Sequence, residues 1–160
     1  SLVDKGGQTV TLESLRGEPW IASFVFTRCF GACPRIVERL KALGPQLPGV
    51  RRVSLTVDPE FDTPEVLASY AAAQRVTDPR WLFLTGDAAV VRAVVLKGFL
   101  LAVGDAEDAK EPILHSTRLV LVDGAGRIRG YYESEEAEAM ARLVREAQEV
   151  GRELSVFSPG

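Results

Sequence analysis

The sequence predicts an α/β domain: a mixed central sheet with helices on both faces and a small hairpin extending its N-terminal side. Three observations predict it. Apolar runs of strand length alternate with helical periodicity from Trp20 to Val95. A hairpin pattern and a long amphipathic stretch follow, adding antiparallel strands to a parallel core. The balance of 46% apolar and 26% charged residues over 160 positions is that of one globular domain, spanning 1–160. A chain this long buries roughly 70% of its unfolded surface without a disulfide framework.

Each element has a local cause. Leu2 to Thr11 reads as a hairpin turning at Asp4-Lys5-Gly6-Gly7. Leu12 to Arg16 makes one helical turn, stopped by Gly17. Trp20 to Phe26 is an apolar run interrupted only by Ser23, as in a strand covered on both faces. Pro34 suits the first position of a helix capped by Cys33, with Ile36, Val37, Leu40 and Leu43 on one stripe and Gly44-Pro45 as the stop. Val50 to Val57 alternates as a strand. Asp62-Thr63-Pro64-Glu65 starts a helix with Val66, Leu67, Tyr70 and Ala71 on its apolar face. Trp81 to Leu84 is a short strand, and Asp87 caps a helix striped by Val91, Val94 and Val95. Gly104 to Glu111 is an acidic loop. Arg118–Val122 and Arg127–Tyr132 flank a turn at Asp123-Gly124-Ala125-Gly126. Ser134 caps a last helix, with Ala137, Met140, Ala141, Val144 and Ala147 inward and an end at Gly151. This β-α-β…β-β-α order is that of a thioredoxin-like fold.

Composition excludes several functions. A net charge of −3 and a pI near 5.3 argue against a nucleic-acid binder. Two cysteines and one histidine are too few for a four-ligand Cys/His zinc site. A soft metal held through nitrogen and sulfur would take Cys29, Cys33 and His115, with Met140 as a remote fourth; the helical stripe marks Met140 as core instead. No apolar run reaches the ~18 residues of a membrane span. With Ser1 first and Met140 the only methionine, removal of an N-terminal segment is expected. The absence of asparagine and the excess of arginine over lysine, fifteen to four, fit a heat-stable, GC-rich source.

The cysteines lie in Thr27-Arg28-Cys29-Phe30-Gly31-Ala32-Cys33-Pro34, where a buried strand gives way to a helix. Open α/β sheets build their sites at such places. Four residues apart on a helical turn, two side chains share a face about 5–6 Å apart at Cβ. That suits a disulfide after a small rotation, or one metal ion held by both sulfurs. The helix N-terminus, with Arg28 and Arg35, is expected to lower at least one thiol pKa. Spacing alone does not separate redox work from metal binding. A thioredoxin-like sheet would bring His115, in the loop before a late strand, to the same end as the cysteines. Two thiolates and an imidazole suit Cu(I) and Cu(II); zinc would want a fourth ligand. A peroxidase, for which Thr27-Arg28-Cys29 is one residue short of Thr-x-x-Cys, and a metal sensor or store are further readings.

Three segments resemble the Sco/SenC family of thioredoxin-like copper proteins. They are Phe24-Val25-Phe26-Thr27-Arg28-Cys29-Phe30-Gly31-Ala32-Cys33-Pro34, Ser54-Leu55-Thr56-Val57-Asp58-Pro59-Glu60-Phe61-Asp62-Thr63-Pro64-Glu65, and His115-Ser116-Thr117 followed by Leu119 to Asp123 and Gly126. The likeness runs from about Leu2 to Val150. Phe30 and Gly31 depart from it, standing where the family commonly has Pro and Asp. The resemblance implies Cys29, Cys33 and His115 as copper ligands. Asp58, which ends a strand near the site, is a further candidate for hydrogen-bonding a ligand or its loop. It implies a metallochaperone supplying the binuclear copper centre of cytochrome c oxidase, the partner being that copper-bearing subunit or another copper chaperone. The alternative is a thiol–disulfide oxidoreductase using Cys29 and Cys33, reducing that centre's cysteines or acting in redox signalling; otherwise no enzyme activity is implied. The expected setting is the periplasm or another extracytoplasmic face, with an N-terminal membrane anchor outside this chain.

Overall fold

The computed structural model describes residues 1–29, 32–99 and 117–157. His115, the acidic segment 104–111, and Phe30 and Gly31 lie outside the described residues. The seven strands are β1 (Leu2–Asp4), β2 (Thr9–Val10), β3 (Trp20–Val25), β4 (Arg51–Thr56), β5 (Trp81–Thr85), β6 (Arg118–Val122) and β7 (Ile128–Glu133). They form one sheet in the order β2-β1-β5-β4-β3-β6-β7. Strands β3, β4 and β5 are parallel, and β6, β7, β1 and β2 join antiparallel. The predicted mixed sheet with its N-terminal hairpin is therefore present. In that hairpin the Asp4 carboxylate accepts the N–H groups of Gly6 and Gln8 at 2.8 and 2.9 Å.

The helices are α1 (Leu12–Leu15), α2 (Ala32–Leu43), α3 (Pro64–Ala73), α4 (Ala88–Ala93) and α5 (Ala137–Phe157). The pleat sends successive side chains to opposite faces, so the sheet has two cores. On one face Ile21, Trp81, Phe83, Leu119 and Leu121 meet Ile36, Leu40, Leu67 and Leu143 of α2, α3 and α5. On the other, Ala22, Phe24, Leu55 and Val120 meet Leu15 of α1 and Val91 of α4. All six residues of β3 are buried, as a strand with neighbours on both edges and helices on both faces must be. One polar chain crosses the apolar layer and satisfies itself. The Trp81 indole N–H donates to Ser54 Oγ at 2.9 Å, and Ser54 and Ser23 share a hydrogen bond at 2.7 Å.

Five details differ from the sequence reading. Helix α2 starts at Ala32, so Cys33 and Pro34 both lie in its first turn rather than at cap and first position. Proline is tolerated there because first-turn N–H groups have no intrahelical partner. Helix α4 widens into a π-helical turn over Val94–Gly98, closed by the Phe99 N–H on the Val94 carbonyl at 2.9 Å. This sets the Phe99 ring edge-on against Trp20 and Phe24. Ser134 does not cap α5: its hydroxyl is buried without a hydrogen-bond partner among the described residues, and the helix starts at Ala137. Ala137 and Ala141 face solvent, while Ala139, Met140, Leu143, Ala147 and Val150 face the core. Alanine is compatible with either face, so an alanine-rich stripe is a weak guide. The helix also runs through Gly151, where a Cβ would meet nothing; continuing it costs about 1 kcal/mol relative to alanine.

Leu121 is fully buried, whereas Leu12 is 51% exposed. Leu121→Ala is expected to cost about 2–5 kcal/mol in urea unfolding, and Leu12→Ala less than about 0.5 kcal/mol.

Candidate functional site

Strands β3 and β4 run parallel and in register from Trp20 and Arg51 to Val25 and Thr56. Their carboxyl ends therefore release two loops side by side. The Val57 N–H extends the pairing one step, donating to the Val25 carbonyl at 2.9 Å. One loop carries Thr27, Arg28 and Cys29 into α2; the other carries Asp58 to Asp62 into α3. A turn closed by the Cys29 N–H on the Phe26 carbonyl, 3.0 Å, swings the first loop over the sheet edge.

Asp62 joins the two loops. Its side chain is fully buried and accepts three hydrogen bonds. The Thr27 N–H donates at 3.1 Å, the Thr56 hydroxyl donates at 2.6 Å, and the Thr27 hydroxyl donates to the other carboxylate oxygen. A buried carboxylate requires such donors, since an unpaired one would be strongly penalised. The sequence reading placed Asp62 and Thr63 together at a helix start. Thr63 is the cap, accepting the Val66 N–H at 3.3 Å, while Asp62 turns inward. The missed set is Thr27, Thr56 and Asp62; its only sequence signal is a threonine near each strand end together with the Asp-Thr-Pro start.

Asp58 braces the cysteine loop from outside. Its carboxylate accepts from Arg28 Nε and Nη2 at 2.9 and 2.7 Å, and its own N–H donates to the Thr56 hydroxyl at 3.0 Å. The Arg28 guanidinium also lies over the exposed Phe61 ring, 4.4 Å from its centroid. The residue next to Cys29 is thus held from two sides.

Both cysteines are free thiols, Cys29 partly exposed and Cys33 only 4% exposed. Their side chains hydrogen-bond each other. The Cys33 thiol is pushed up to about 12, first by burial, then by its bond to Cys29 and by the charges of Cys29 and Asp62; the Phe26 backbone opposes this. The expectation of a helix-lowered pKa thus fails for Cys33: desolvation outweighs the favourable helix terminus. Met140 packs in the core among residues of α2, α3 and α5 and takes no part in the site. Among the described residues, no group of three or more His, Cys, Asp or Glu side chains is placed to hold a metal. The donors brought together are two sulfurs, a soft pair suited to Cu(I) or zinc more than to hard cations. His115, the proposed third, lies outside the described residues.

A thioredoxin-like sheet with a dithiol at the switch from a central strand to a helix defines a class of redox and soft-metal proteins. Within that class the chain belongs to the SCO1/SenC family, whose model matches residues 1–149. It is similar to the SCO1 protein homolog of Bacillus subtilis, 34% identical over 78% of this chain and 67% of that protein. It is also similar to a putative copper-binding protein of Stutzerimonas stutzeri, 31% identical over 81% of this chain and 65% of that protein. The chain thus spans about two thirds of the length of these relatives. Among solved structures, BsSco, described as a Sco-family cytochrome c oxidase assembly protein with a disulfide switch, superposes with a TM-score of 0.80 at 29% identity, covering 94% of this chain and 90% of that one. Bradyrhizobium japonicum ScoI with copper bound superposes at 0.66 and 29% identity, covering 90% and 94%.

Three outcomes follow from this geometry. Iodoacetamide at pH 8 should modify Cys29 well before Cys33, as read by peptide mass spectrometry. Because folding raises the Cys33 pKa, stability should be unaffected by this group at low pH and fall as pH climbs from 9.0 towards about 12, measured by unfolding across that range. Asp62→Asn exchanges an acceptor oxygen for a donor and should cost about 1–3 kcal/mol in denaturant unfolding.

Proposed function

We propose that this chain binds copper through Cys29, Cys33 and His115 and hands it to the copper-bearing subunit of cytochrome c oxidase or to another copper chaperone. The observation that carries the reading is the sulfur pair: two reduced cysteines in side-chain contact, one shielded and one partly exposed, on a loop braced by Asp62 and Asp58. Thiolates select Cu(I), and an imidazole lets the same set follow Cu(II). Buried Cys33 shields one side of the ion, while exposed Cys29 is where an acceptor thiol can enter. Copper then moves by stepwise ligand exchange, each incoming sulfur replacing one of this chain's ligands. Asp62 contributes a buried negative charge that favours a cation near Cys33. The copper-bound Bradyrhizobium japonicum relative supports the cargo, and the assembly role stated for BsSco supports the destination. We place the work on the extracytoplasmic side of a membrane, in a longer, anchored protein. Among the described residues no helix is long and apolar enough to cross a membrane.

The contact between the two sulfurs favours a second reading. As a thiol–disulfide oxidoreductase, Cys29 thiolate would attack an acceptor disulfide, releasing one acceptor thiolate and forming a mixed disulfide. Cys33, losing its proton, would then attack Cys29, releasing the second acceptor thiol and leaving Cys29–Cys33 oxidised. The disulfide switch described for BsSco supports this chemistry.

The Cu(II) complex of the reduced protein should show sulfur-to-copper charge transfer that disappears in Cys29→Ala and Cys33→Ala and weakens or shifts in His115→Ala. A His115→Ala complex with unchanged spectrum and affinity would remove the three-ligand assignment. Copper uptake should also release protons from the thiols, so apparent affinity should rise with pH in chelator competition. Metal-free turnover of an acceptor disulfide that tolerates His115→Ala would favour the oxidoreductase reading.

A further inference from the structure

The sheet face that packs α1 and α4 encloses a cavity of about 340 Å³, set apart from the cysteine pair. Its floor is the sheet itself: Ala22 of β3, Val53 and Leu55 of β4, Leu84 of β5 and Val122 of β6. All five are buried, so the cavity lies within the fold and is not a surface groove. Leu15 of α1 and the edge-on rings of Trp20 and Phe99, centroids 6.0 Å apart, form its walls. The Tyr131 hydroxyl holds Phe99 there, donating to its carbonyl at 2.7 Å. Among the described residues no charged side chain lines the cavity. Buried water needs roughly two to four polar partners, which such walls do not offer; an apolar molecule needs none.

Three local features shape the mouth. The π-helical turn Val94–Gly98 brings Val94, Gly98 and Phe99 to the cavity. Such turns are rare and recur at functional sites. Gly98 stands exposed at the rim, where a Cβ would meet only Val94, at 3.8 Å. Neither crowding nor a left-handed backbone requires glycine there, and a helical turn disfavours it against alanine. What it provides is access. Leu12, the most exposed large apolar side chain among the described residues, also lines the mouth. A ligand entering beneath it would take part of that apolar surface out of water.

We propose that this cavity binds a small uncharged apolar molecule of two fused rings, which packs against Trp20 and Phe99 under Leu12. The volume sets the size. A cavity of ~150 Å³ accepts benzene, and ligand pockets start at about 300 Å³. A charged ligand is disfavoured, since nothing in the walls would replace its water. A protein partner is not the occupant, because the floor and walls present no exposed face on which one could dock. The assignment does not rest on the copper reading.

Naphthalene is the probe, titrated into the reduced, metal-free chain. The chain has two tryptophans, Trp20 at the cavity and Trp81 in the opposite core, so their indole N–H signals in NMR carry an internal control. The Trp20 signal should shift and saturate while the Trp81 signal stays, and the urea midpoint should rise with naphthalene concentration. Leu12→Ala should leave the ligand-free midpoint nearly unchanged and weaken binding about tenfold. Ala22→Leu fills the floor and Gly98→Leu the mouth; each should abolish the Trp20 shift while circular dichroism stays that of wild type. Gly98→Leu, on an exposed rim, decides alone if Ala22→Leu does not fold. No saturable Trp20 shift, equal shifts of both indoles, or equally tight binding of naphthalenesulfonate would overturn the proposal. So would binding retained in a folded filling variant, or unweakened in Leu12→Ala.

Discussion

The buried carboxylate of Asp62 is the interaction on which the site depends. It takes both polar hydrogens of Thr27 from the loop after β3 and the hydroxyl of Thr56 from the end of β4. A loop carrying cysteines over a sheet edge has little apolar surface of its own with which to hold position. Directed bonds to a charged group in a dry setting supply what packing cannot, because low dielectric strengthens them. The Arg28–Asp58 pair adds an outer brace, but Arg28 is half exposed, so solvent screening keeps its contribution small.

That arrangement sets the chemistry of the two cysteines apart. They share a turn, yet one faces solvent and the other the core beneath it. Burial makes Cys33 a reluctant acid, and the neighbouring carboxylate makes it more so. The same negative charge and dry surroundings favour a cation that arrives and replaces the proton. A thiol that resists simple deprotonation can still lose its proton to a soft cation that takes the proton's place.

Much of the architecture was legible because it follows from short-range patterns. Trp20–Val25, apolar at every position but Ser23, has no polar face to show to water, so a central strand is the only comfortable home. Asp87 and Thr63 precede their helices with the oxygen that free N–H groups need. The reading failed where the pattern carries little information. The stripe of α5 was misjudged at Ala137 and Ala141 because alanine neither demands nor refuses burial. Ser134 looked like a cap because a serine before a helix usually is one, but its side chain is buried and its N–H donates to the Thr117 carbonyl instead.

By itself the sequence determined the order of strands and helices, the place of the cysteine pair at a strand-to-helix switch, and the exclusion of Met140 as a ligand. Each rests on spacing along the chain, and a helix or strand converts spacing into direction by fixed geometry. Only the tertiary structure decided that Asp62 turns inward and that Cys33 is the shielded sulfur with a raised pKa. Those properties belong to the dielectric and the neighbours at a point in space. Thr27 and Asp62 are 35 residues apart in the chain, and nothing local to either one states that they will meet.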